Sequence, residues 1–154
     1  MVDIGWTHPS LPTILDTIPK DVKSLIDVGC GRGIIGAMCR IYRDASRLVG
    51  IEVYQPYVKF LKDMNFYDEV HSLDLQKTPL PYKDKEFNVA TCIEVIEHMT
   101  KDKGIELLDE LERIAKAVPI ARSSIPVLVE PSLPPRHELP ERAHPSTLDI
   151  RPDP

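Results

Sequence analysis

The sequence lacks the features that are typical of nucleic-acid-binding, membrane-spanning and secreted proteins. Its 154 residues carry a formal net charge of −5, with the lysines scattered along the chain, whereas nucleic-acid binding usually shows as a basic patch or stripe. The apolar runs are far shorter than the roughly 20 residues that span a bilayer. The first residues lack the charged start and apolar stretch of a signal peptide. We therefore predict a protein that binds neither nucleic acid nor membranes.

Cysteine is scarce. The three cysteines, Cys30, Cys39 and Cys92, are odd in number and show no CxxC spacing, so they indicate neither a disulfide framework nor a zinc site. This pattern favours a reducing compartment. We predict a cytoplasmic location and no metal site.

Lysine, glycine and aromatic residues disappear toward the C-terminus. Nine of the fifteen prolines lie at or after Pro119, whereas the last lysine is Lys116 and the last aromatic residue is Phe87. Such a segment has little to pack with, and a frame-shifted or truncated reading frame would look the same. We predict three parts: an N-terminal helical segment (1–20), a folded domain (21–129) and a proline-rich irregular tail (130–154).

Short apolar runs alternate with helical periodicity in the folded part. The runs that predict strands are Ser24–Val28, Leu48–Glu52, Glu69–Leu73 and Phe87–Ile93, and the segments Val118–Ile120 and Ile125–Val129 predict one further strand. Helices are predicted over Ile34–Arg43, from Pro56 onward and over Lys101–Lys116. Strands that alternate with helices predict parallel strands joined by right-handed crossovers, so the fold class is α/β.

Two helical stripes are expected to face the core. Apolar residues at spacings of three and four predict the buried faces, which are Ile34, Ala37, Met38 and Ile41 on one helix and Tyr57, Phe60, Leu61 and Met64 on the next.

A glycine-rich loop lies between the first strand and the first of these helices. It runs Asp27-Val28-Gly29-Cys30-Gly31-Arg32-Gly33. Glycine permits positive φ and lets a ligand approach the backbone, and the following helix N-terminus presents N–H groups that lack intrahelical partners. The loop therefore suits a carboxylate, a ribose or a phosphate.

Three kinds of ligand-binding motif could account for this loop. A P-loop would end in Gly-Lys-Ser/Thr, and the sequence Arg32-Gly33-Ile34 excludes it. Gly31, Gly33 and Gly36 fit the dinucleotide fingerprint, with Glu52 at the distance of a ribose-binding acid, so the residues alone leave NAD open. A third interpretation begins the motif at the acidic residue Asp27.

The run LIDVGCGRG resembles the first motif of the class I S-adenosylmethionine-dependent methyltransferases, in which an acidic residue precedes alternating glycines. The resemblance implies a Rossmann-like parallel sheet flanked by helices, and S-adenosylmethionine as the cofactor. It assigns the methionine end of the cofactor to Asp27 and to the backbone of the loop, including Gly29, Cys30, Gly31 and Gly33. It assigns the ribose to Glu52, with Val53 beside it.

Further blocks follow in the family's order. Ser72-Leu73-Asp74-Leu75 stands where the family places an acid against the adenine, which implicates Asp74 and Leu75 in cofactor binding. The run CIEVIEHM resembles small-molecule methyltransferases, adds Glu94 to the cofactor site and offers His98 as a weak candidate for a catalytic base. Asn88 departs from the family, which commonly has Asp there.

Simpler interpretations stay open for these residues. Asp27 could cap the glycine turn, Glu52 could be a solvated strand end and Asp74 a turn residue. Glu94 and His98 are four residues apart, which on a helix would place them on one face, yet no second histidine stands at metal-ligand spacing. His98 also fits a surface position.

The resemblance implies transfer of a methyl group to an unidentified, small-molecule acceptor. It ends near Lys116, whereas the family's sheet continues to seven strands that close the edge with an antiparallel hairpin. We therefore expect the C-terminal strands to be incomplete and the open sheet edge to favour a homo-oligomer. The alternative function is a cofactor-binding remnant or non-catalytic partner subunit that has lost the substrate wall.

Overall fold

A computed structural model describes residues 11–122 and 125–129 of the chain. The strands are β1 (Ser24–Val28), β2 (Arg47–Ile51), β3 (Glu69–His71), β4 (Phe87–Ile93), β5 (Ala115–Arg122) and β6 (Ile125–Val129). The α-helices are α1 (Leu11–Thr17), α2 (Ile34–Tyr42), α3 (Gln55–Met64) and α4 (Lys101–Ile114), and a short 3-10 helix covers Ile96–His98. The tail predicted for residues 130–154 lies outside the described residues.

These strands form one sheet in the order β3-β2-β1-β4-β5-β6. The first five are parallel, and β6 runs antiparallel to β5. The helices α2, α3 and α4 connect β1 to β2, β2 to β3 and β4 to β5, whereas the segment between β3 and β4 contains no helix. The predicted α/β fold, a Rossmann-like parallel sheet flanked by helices, is confirmed.

Alternate residues of β1 supply the two faces of the sheet. Ile26 and Val28 pack into a core cluster with Leu107 and Leu111 of α4. Leu25 packs into the opposite cluster with Ile14 of α1. Because side chains alternate along a strand, Asp27 points to the same side as Leu25, where α2 lies.

The buried face of α2 differs from the predicted stripe. The buried residues of this helix are Ile35, Gly36 and Cys39, whereas Ile41 is 69% exposed. Because nearly every position of α2 is apolar, two stripes fit helical periodicity equally well. On α3 the stripe is partly right: Leu61 is fully buried, but Val58 is the other buried residue of the helix.

The helix α4 ends two residues earlier than predicted, at Ile114, and Ala115 begins β5 directly. The Lys85 ammonium donates hydrogen bonds to the carbonyl oxygens of Glu112 (2.5 Å) and Ala115 (2.9 Å). It thereby satisfies carbonyls that have no partner at a helix C-terminus. Ala115 pairs with Phe87 and Ala117 with Val89 of β4, so Lys116 belongs to a strand.

The C-terminal segments form two strands where one was predicted. Pairing runs antiparallel from Val118 opposite Val129 to Arg122 opposite Ile125, so β6 occupies the margin of the sheet at which we expected an unpaired strand. In the described residues β6 is paired on one side only, so a homo-oligomer through an open sheet edge stays a prediction. Within residues 11–122 and 125–129 the sheet has six strands, and the rest of the C-terminal region lies outside the described residues, so its predicted incompleteness stays a prediction.

The helix α1 packs against the domain. Ile14 within it and Ile18 just after it are 1% exposed, in the cluster that also contains Leu25. None of the helices in the described part of the chain is long and apolar enough to cross a membrane.

Candidate functional site

The glycine loop joins β1 to α2 in an unusual backbone conformation. Gly29, Gly31 and Gly33 have φ values of +73°, +54° and +81°, a region that L side chains rarely adopt. A Cβ on Gly29 would lie 2.4 Å from Val95 Cγ2, and one on Gly33 would lie 2.5 Å from Leu61 Cδ2. A Cβ on Gly31 would meet nothing within 4 Å. Packing therefore requires two of the glycines, and the third leaves open space.

A cavity of about 240 Å³ opens beside this loop, at the carboxyl ends of β1 and β4. The order of the strands reverses between β1 and β4, and ligands of open α/β sheets bind at this point. Five predicted cofactor residues line the cavity: Asp27, Gly29, Cys30, Gly31 and Glu94. The other lining residues, which the sequence motifs did not indicate, are Leu11, Arg32, Ile34, Ile35, Tyr57 and Ile93.

Asp27 is held on both carboxylate oxygens. Its Oδ1 accepts a hydrogen bond from Thr91 Oγ1 (2.7 Å) and its Oδ2 accepts one from Tyr67 Oη (2.6 Å). Burial raises the pKa of Asp27 to about 6, although both hydrogen bonds lower that pKa. Two hydroxyl donors, Thr91 and Tyr67, therefore fix the orientation of the Asp27 carboxylate.

Sequence reasoning missed both donors to Asp27. Thr91 is the residue of β4 that pairs with Asp27 in the register of β1 and β4, and a hydroxyl inside the apolar run FNVATCI was the available signal. Tyr67 lies between α3 and β3, and no local pattern singled it out. Burial raises its pKa well above the ordinary value, so its hydroxyl stays protonated as a donor.

Glu52 follows β2 and contacts the loop from the side. Its Oε2 accepts a hydrogen bond from the Gly31 N–H (2.9 Å) and its Oε1 accepts one from the Tyr54 N–H (2.8 Å). The carboxylate is within reach of the loop but does not line the cavity, and Val53 beside it is 60% exposed.

Asp74 and Leu75 lie in the turn after β3, away from the lining of the cavity. Asp74 Oδ1 accepts a hydrogen bond from the Gln76 N–H (3.1 Å), and its carbonyl accepts one from the Lys77 N–H (3.0 Å). These bonds give Asp74 the local role of a turn residue. Leu75 is partly buried against the core cluster that contains Phe87.

Glu94 and His98 do not share a helix face, contrary to the expectation from their spacing. Glu94 has a φ of +54° in the turn after β4, and the short 3-10 helix begins only at Ile96. His98 is exposed and does not line the cavity, whereas Glu94 does.

Other lining groups give the cavity both charge and apolar surface. The Arg32 guanidinium lies over the Tyr57 ring, 5.4 Å from its centroid, a favourable cation–π distance. Burial raises the pKa of Cys30 well above its ordinary value, which makes this thiol an inert small residue. In the part of the chain that the structure covers, no three histidine, cysteine or acidic side chains come together as metal ligands.

The sequence matches the model of the family described as "Methyltransferase domain" over residues 26–118. A search among curated proteins gives no match.

Solved structures are similar in fold. A Pyrococcus horikoshii protein is 19% identical with a TM-score of 0.64, and the match covers 77% of this chain and 60% of that one. The complex of the Haloferax volcanii Trm112 methyltransferase activator with a methyltransferase contains a chain that is 18% identical (TM-score 0.63, covering 72% and 50%). An S-adenosylmethionine-dependent methyltransferase of Mesorhizobium loti is 16% identical (TM-score 0.60, covering 72% and 52%).

This chain spans about half to three-fifths of the length of these three structures. The family match covers more than half of the chain, and the predicted family and its cofactor, S-adenosylmethionine, are both confirmed. The chain belongs to the methyltransferase domain family, in the class I S-adenosylmethionine-dependent group.

Proposed function

We propose that the chain binds S-adenosylmethionine in the cavity beside the glycine loop and transfers its methyl group to a small-molecule acceptor. The observation that carries the proposal is the position of that cavity. It lies between Gly29–Gly31 and Ile93–Glu94, where the strand order of the sheet reverses and α/β proteins bind their ligands.

The residues present fit the cofactor. Gly31 has no heavy atom within 4 Å of the Cβ position that it lacks, so a ligand can approach the backbone there. Asp27 and Glu94 supply carboxylates at the cavity, and these complement a cofactor that carries a sulfonium and an ammonium group. Glu52, which accepts hydrogen bonds from the Gly31 and Tyr54 N–H groups, is the proposed ligand of the ribose and has free lone pairs to accept its hydroxyls. Asp74 and Leu75 are the proposed adenine contacts.

The bound cofactor supplies an activated methyl carbon, so the protein has to bind, orient and exclude water. The apolar side chains of Leu11, Ile34 and Ile35 line the cavity and would exclude water on one side. His98, four residues beyond Glu94 and exposed, is the proposed base for an acceptor that must lose a proton. A cytoplasmic location is part of the proposal and rests on the three unpaired cysteines.

The alternative is a subunit that binds the cofactor without catalysis. The chain spans 50% to 60% of the length of two of the solved structures named above, so the activity of the whole protein stays a proposal in either case. Calorimetry with S-adenosylhomocysteine, S-adenosylmethionine and NAD in parallel tests the site. We expect the first two to bind and NAD not to bind.

Transfer of a labelled methyl group separates the two candidates. Turnover with any small acceptor supports the methyltransferase. Tight binding of S-adenosylhomocysteine with no transfer to a panel of oxygen, nitrogen and carbon acceptors supports the non-catalytic subunit. Binding of NAD with no response to S-adenosylhomocysteine would contradict both.

A further inference from the structure

Tyr67 is enclosed by three glycines from three different elements. A Cβ on Gly36 of α2 would lie 2.4 Å from Tyr67 Cζ, and one on Gly50 of β2 would lie 3.2 Å from Tyr67 Cγ. A Cβ on Gly33 of the loop would lie 3.1 Å from Tyr67 Cε2. The ring, which is 3% exposed, therefore occupies space that only residues without a side chain leave free.

This packing explains the third glycine of the sequence motif. Gly36 completes the spacing Gly31-x-Gly33-x-x-Gly36, which by sequence alone also fits a dinucleotide-binding protein. In the structure this glycine admits the edge of the Tyr67 ring. The third glycine of the motif is therefore explained by the packing of Tyr67. It does not indicate which ligand the loop binds.

The hydroxyl of Tyr67 joins the start of α2 to the cavity. It accepts a hydrogen bond from the Gly36 N–H (3.1 Å) and donates one to Asp27 Oδ2 (2.6 Å). The Gly36 N–H is in the first turn of α2, where no intrahelical carbonyl is available. One buried hydroxyl therefore fixes both the helix that follows the glycine loop and the carboxylate that lines the cavity.

We propose that Tyr67 is a positioning residue for the cofactor site, whose hydroxyl orients Asp27 and keeps it ionised, so that cofactor binding depends on pH through this pair. The inference rests on the proposed cofactor site. Thr91 assists from the other side, since it donates to Asp27 Oδ1.

The groups around Asp27 set the direction of the effect. Burial and the negative charge of Glu52 raise the pKa of Asp27, whereas the hydroxyls of Tyr67 and Thr91 lower it, with a result of about 6. The neighbouring thiols of Cys30, Cys39 and Cys92 have pKa values raised chiefly by burial and further by Asp27, so they stay neutral. Arg32 and Glu94 line the same cavity.

An ammonium group binds best to an ionised carboxylate. Affinity for S-adenosylhomocysteine, which retains the ammonium group, should therefore decline as the pH falls below about 6. Loss of the Tyr67 hydroxyl removes a donor that favours the charged form, so the midpoint should rise by roughly one pH unit.

The test compares Tyr67→Phe with Tyr82→Phe. Tyr82 is also buried, and its hydroxyl is 2.9 Å from His71 Nδ1, in the other core cluster. S-adenosylhomocysteine affinity is measured by calorimetry from pH 5 to pH 8, and the Asp27 carboxyl is titrated by carbon NMR in the protein without ligand. Thr91→Val removes the second donor, and Thr91→Ser retains its hydroxyl.

Tyr67→Phe should raise the Asp27 titration midpoint and shift the binding curve to higher pH, whereas Tyr82→Phe should change neither. Thr91→Val should act like Tyr67→Phe, with Thr91→Ser restoring the parental curve. If Tyr67→Phe does not fold, the two Thr91 variants decide the inference.

An Asp27 midpoint that is the same in Tyr67→Phe, Thr91→Val and the parent overturns the inference. If the Asp27 midpoint shifts in Tyr67→Phe but the parent binds no S-adenosylhomocysteine, the coupling of Tyr67 to Asp27 is supported. The missing binding then contradicts the proposed function. Parental binding that is constant from pH 5 to pH 8 overturns the link between Asp27 and the cofactor.

Discussion

The Glu52 carboxylate holds the glycine loop at Gly31. Its Oε2 accepts the Gly31 N–H at 2.9 Å, while its Oε1 accepts the N–H of Tyr54 at 2.8 Å. The acid that resembles a ribose ligand is thus bonded to the loop that would contact the rest of the cofactor. Each carboxylate oxygen can accept a second hydrogen bond, so Glu52 could contact the ribose hydroxyls and still hold the backbone of the loop.

The first prediction concerns Glu52. Glu52→Ala should weaken S-adenosylhomocysteine binding by about 1.5–3 kcal/mol, because a charged hydrogen-bond acceptor is lost. Glu52→Gln should weaken it less, since one acceptor oxygen survives. Calorimetry measures both, with Glu106→Ala as the control, since that acid pairs with Lys103 at an exposed position of α4. If both Glu52 variants bind like the parent, the ribose is held by other residues.

The second prediction separates two glycines of the same loop. Gly31→Ala adds a Cβ in open space, so its cost in the free energy of unfolding should be about 1–2 kcal/mol, from the positive φ alone. Gly33→Ala should cost more, because its Cβ would lie 2.5 Å from Leu61 Cδ2. Gly31→Val should abolish S-adenosylhomocysteine binding in a protein that still folds.

Thermal unfolding and calorimetry check this pair. A Gly31→Val protein that binds the ligand normally would show that the cofactor does not pass over Gly31. A Gly33→Ala protein as stable as the parent would mean that Leu61 and the loop adjust to the added methyl group.

Much of this fold was predictable because its signals are local. The strands β1 and β4 agree with their predicted bounds residue for residue, since each is a short, largely apolar run bounded by charged residues or glycine. The loop at Gly29–Gly33 was predictable because positive φ nearly requires glycine. Sequence patterns of this kind depend only on residues that are neighbours in the chain.

The features that were not predicted from the sequence depend on contacts between residues far apart in the chain. The helix α4 ends where Ala115 pairs with Phe87 of β4, and the Ala115 carbonyl accepts a hydrogen bond from Lys85, 30 residues earlier. The buried face of α2 includes Gly36, which packs against Tyr67, a residue 31 positions further along the chain. The hydroxyls that hold Asp27 come from positions 40 and 64 residues away, so a single sequence gave no indication that they meet.

The third prediction concerns Arg113, which anchors the segment before β4 to α4. Its guanidinium donates to the carbonyl oxygens of Leu80 (3.1 Å) and Tyr82 (2.8 Å), and also to the carboxylates of Asp84 and Glu110. Lysine keeps the charge but lacks the planar fork that reaches several acceptors at once. Arg113→Lys should therefore lower the free energy of unfolding by about 1–3 kcal/mol.

Denaturant unfolding measures this change, and Lys103→Ala is the control. Lys103 pairs with Glu106 at 2.6 Å on an exposed face of α4, where an ion pair contributes about 0–1 kcal/mol. Equal losses in the two variants would mean that the backbone carbonyls near Leu80 find other donors when Arg113 is absent.

The last prediction concerns the dependence of stability on pH. Burial raises the pKa of Asp27 from 3.8 to about 6, so between these values the folded protein binds a proton that the unfolded chain releases. The contribution of Asp27 to the free energy of unfolding is therefore fully present below pH 3.8. It declines by roughly 3 kcal/mol in all as the pH rises to about 6. Asp27→Asn cannot ionise and should lose this decline.

Asn should fit the site, because its amide oxygen can accept the Thr91 hydroxyl that Asp27 Oδ1 accepts now. We therefore expect Asp27→Asn to gain stability relative to the parent between pH 4 and pH 7 while it loses affinity for S-adenosylhomocysteine. Asp44→Asn should act in the opposite sense, because a hydrogen bond from Lys23 lowers the pKa of Asp44. Unfolding curves at several pH values measure both. If Asp27→Asn and the parent lose stability in parallel as the pH rises, Asp27 is already ionised at pH 4, and its carboxylate is stabilised by more than the two hydroxyls that contact it.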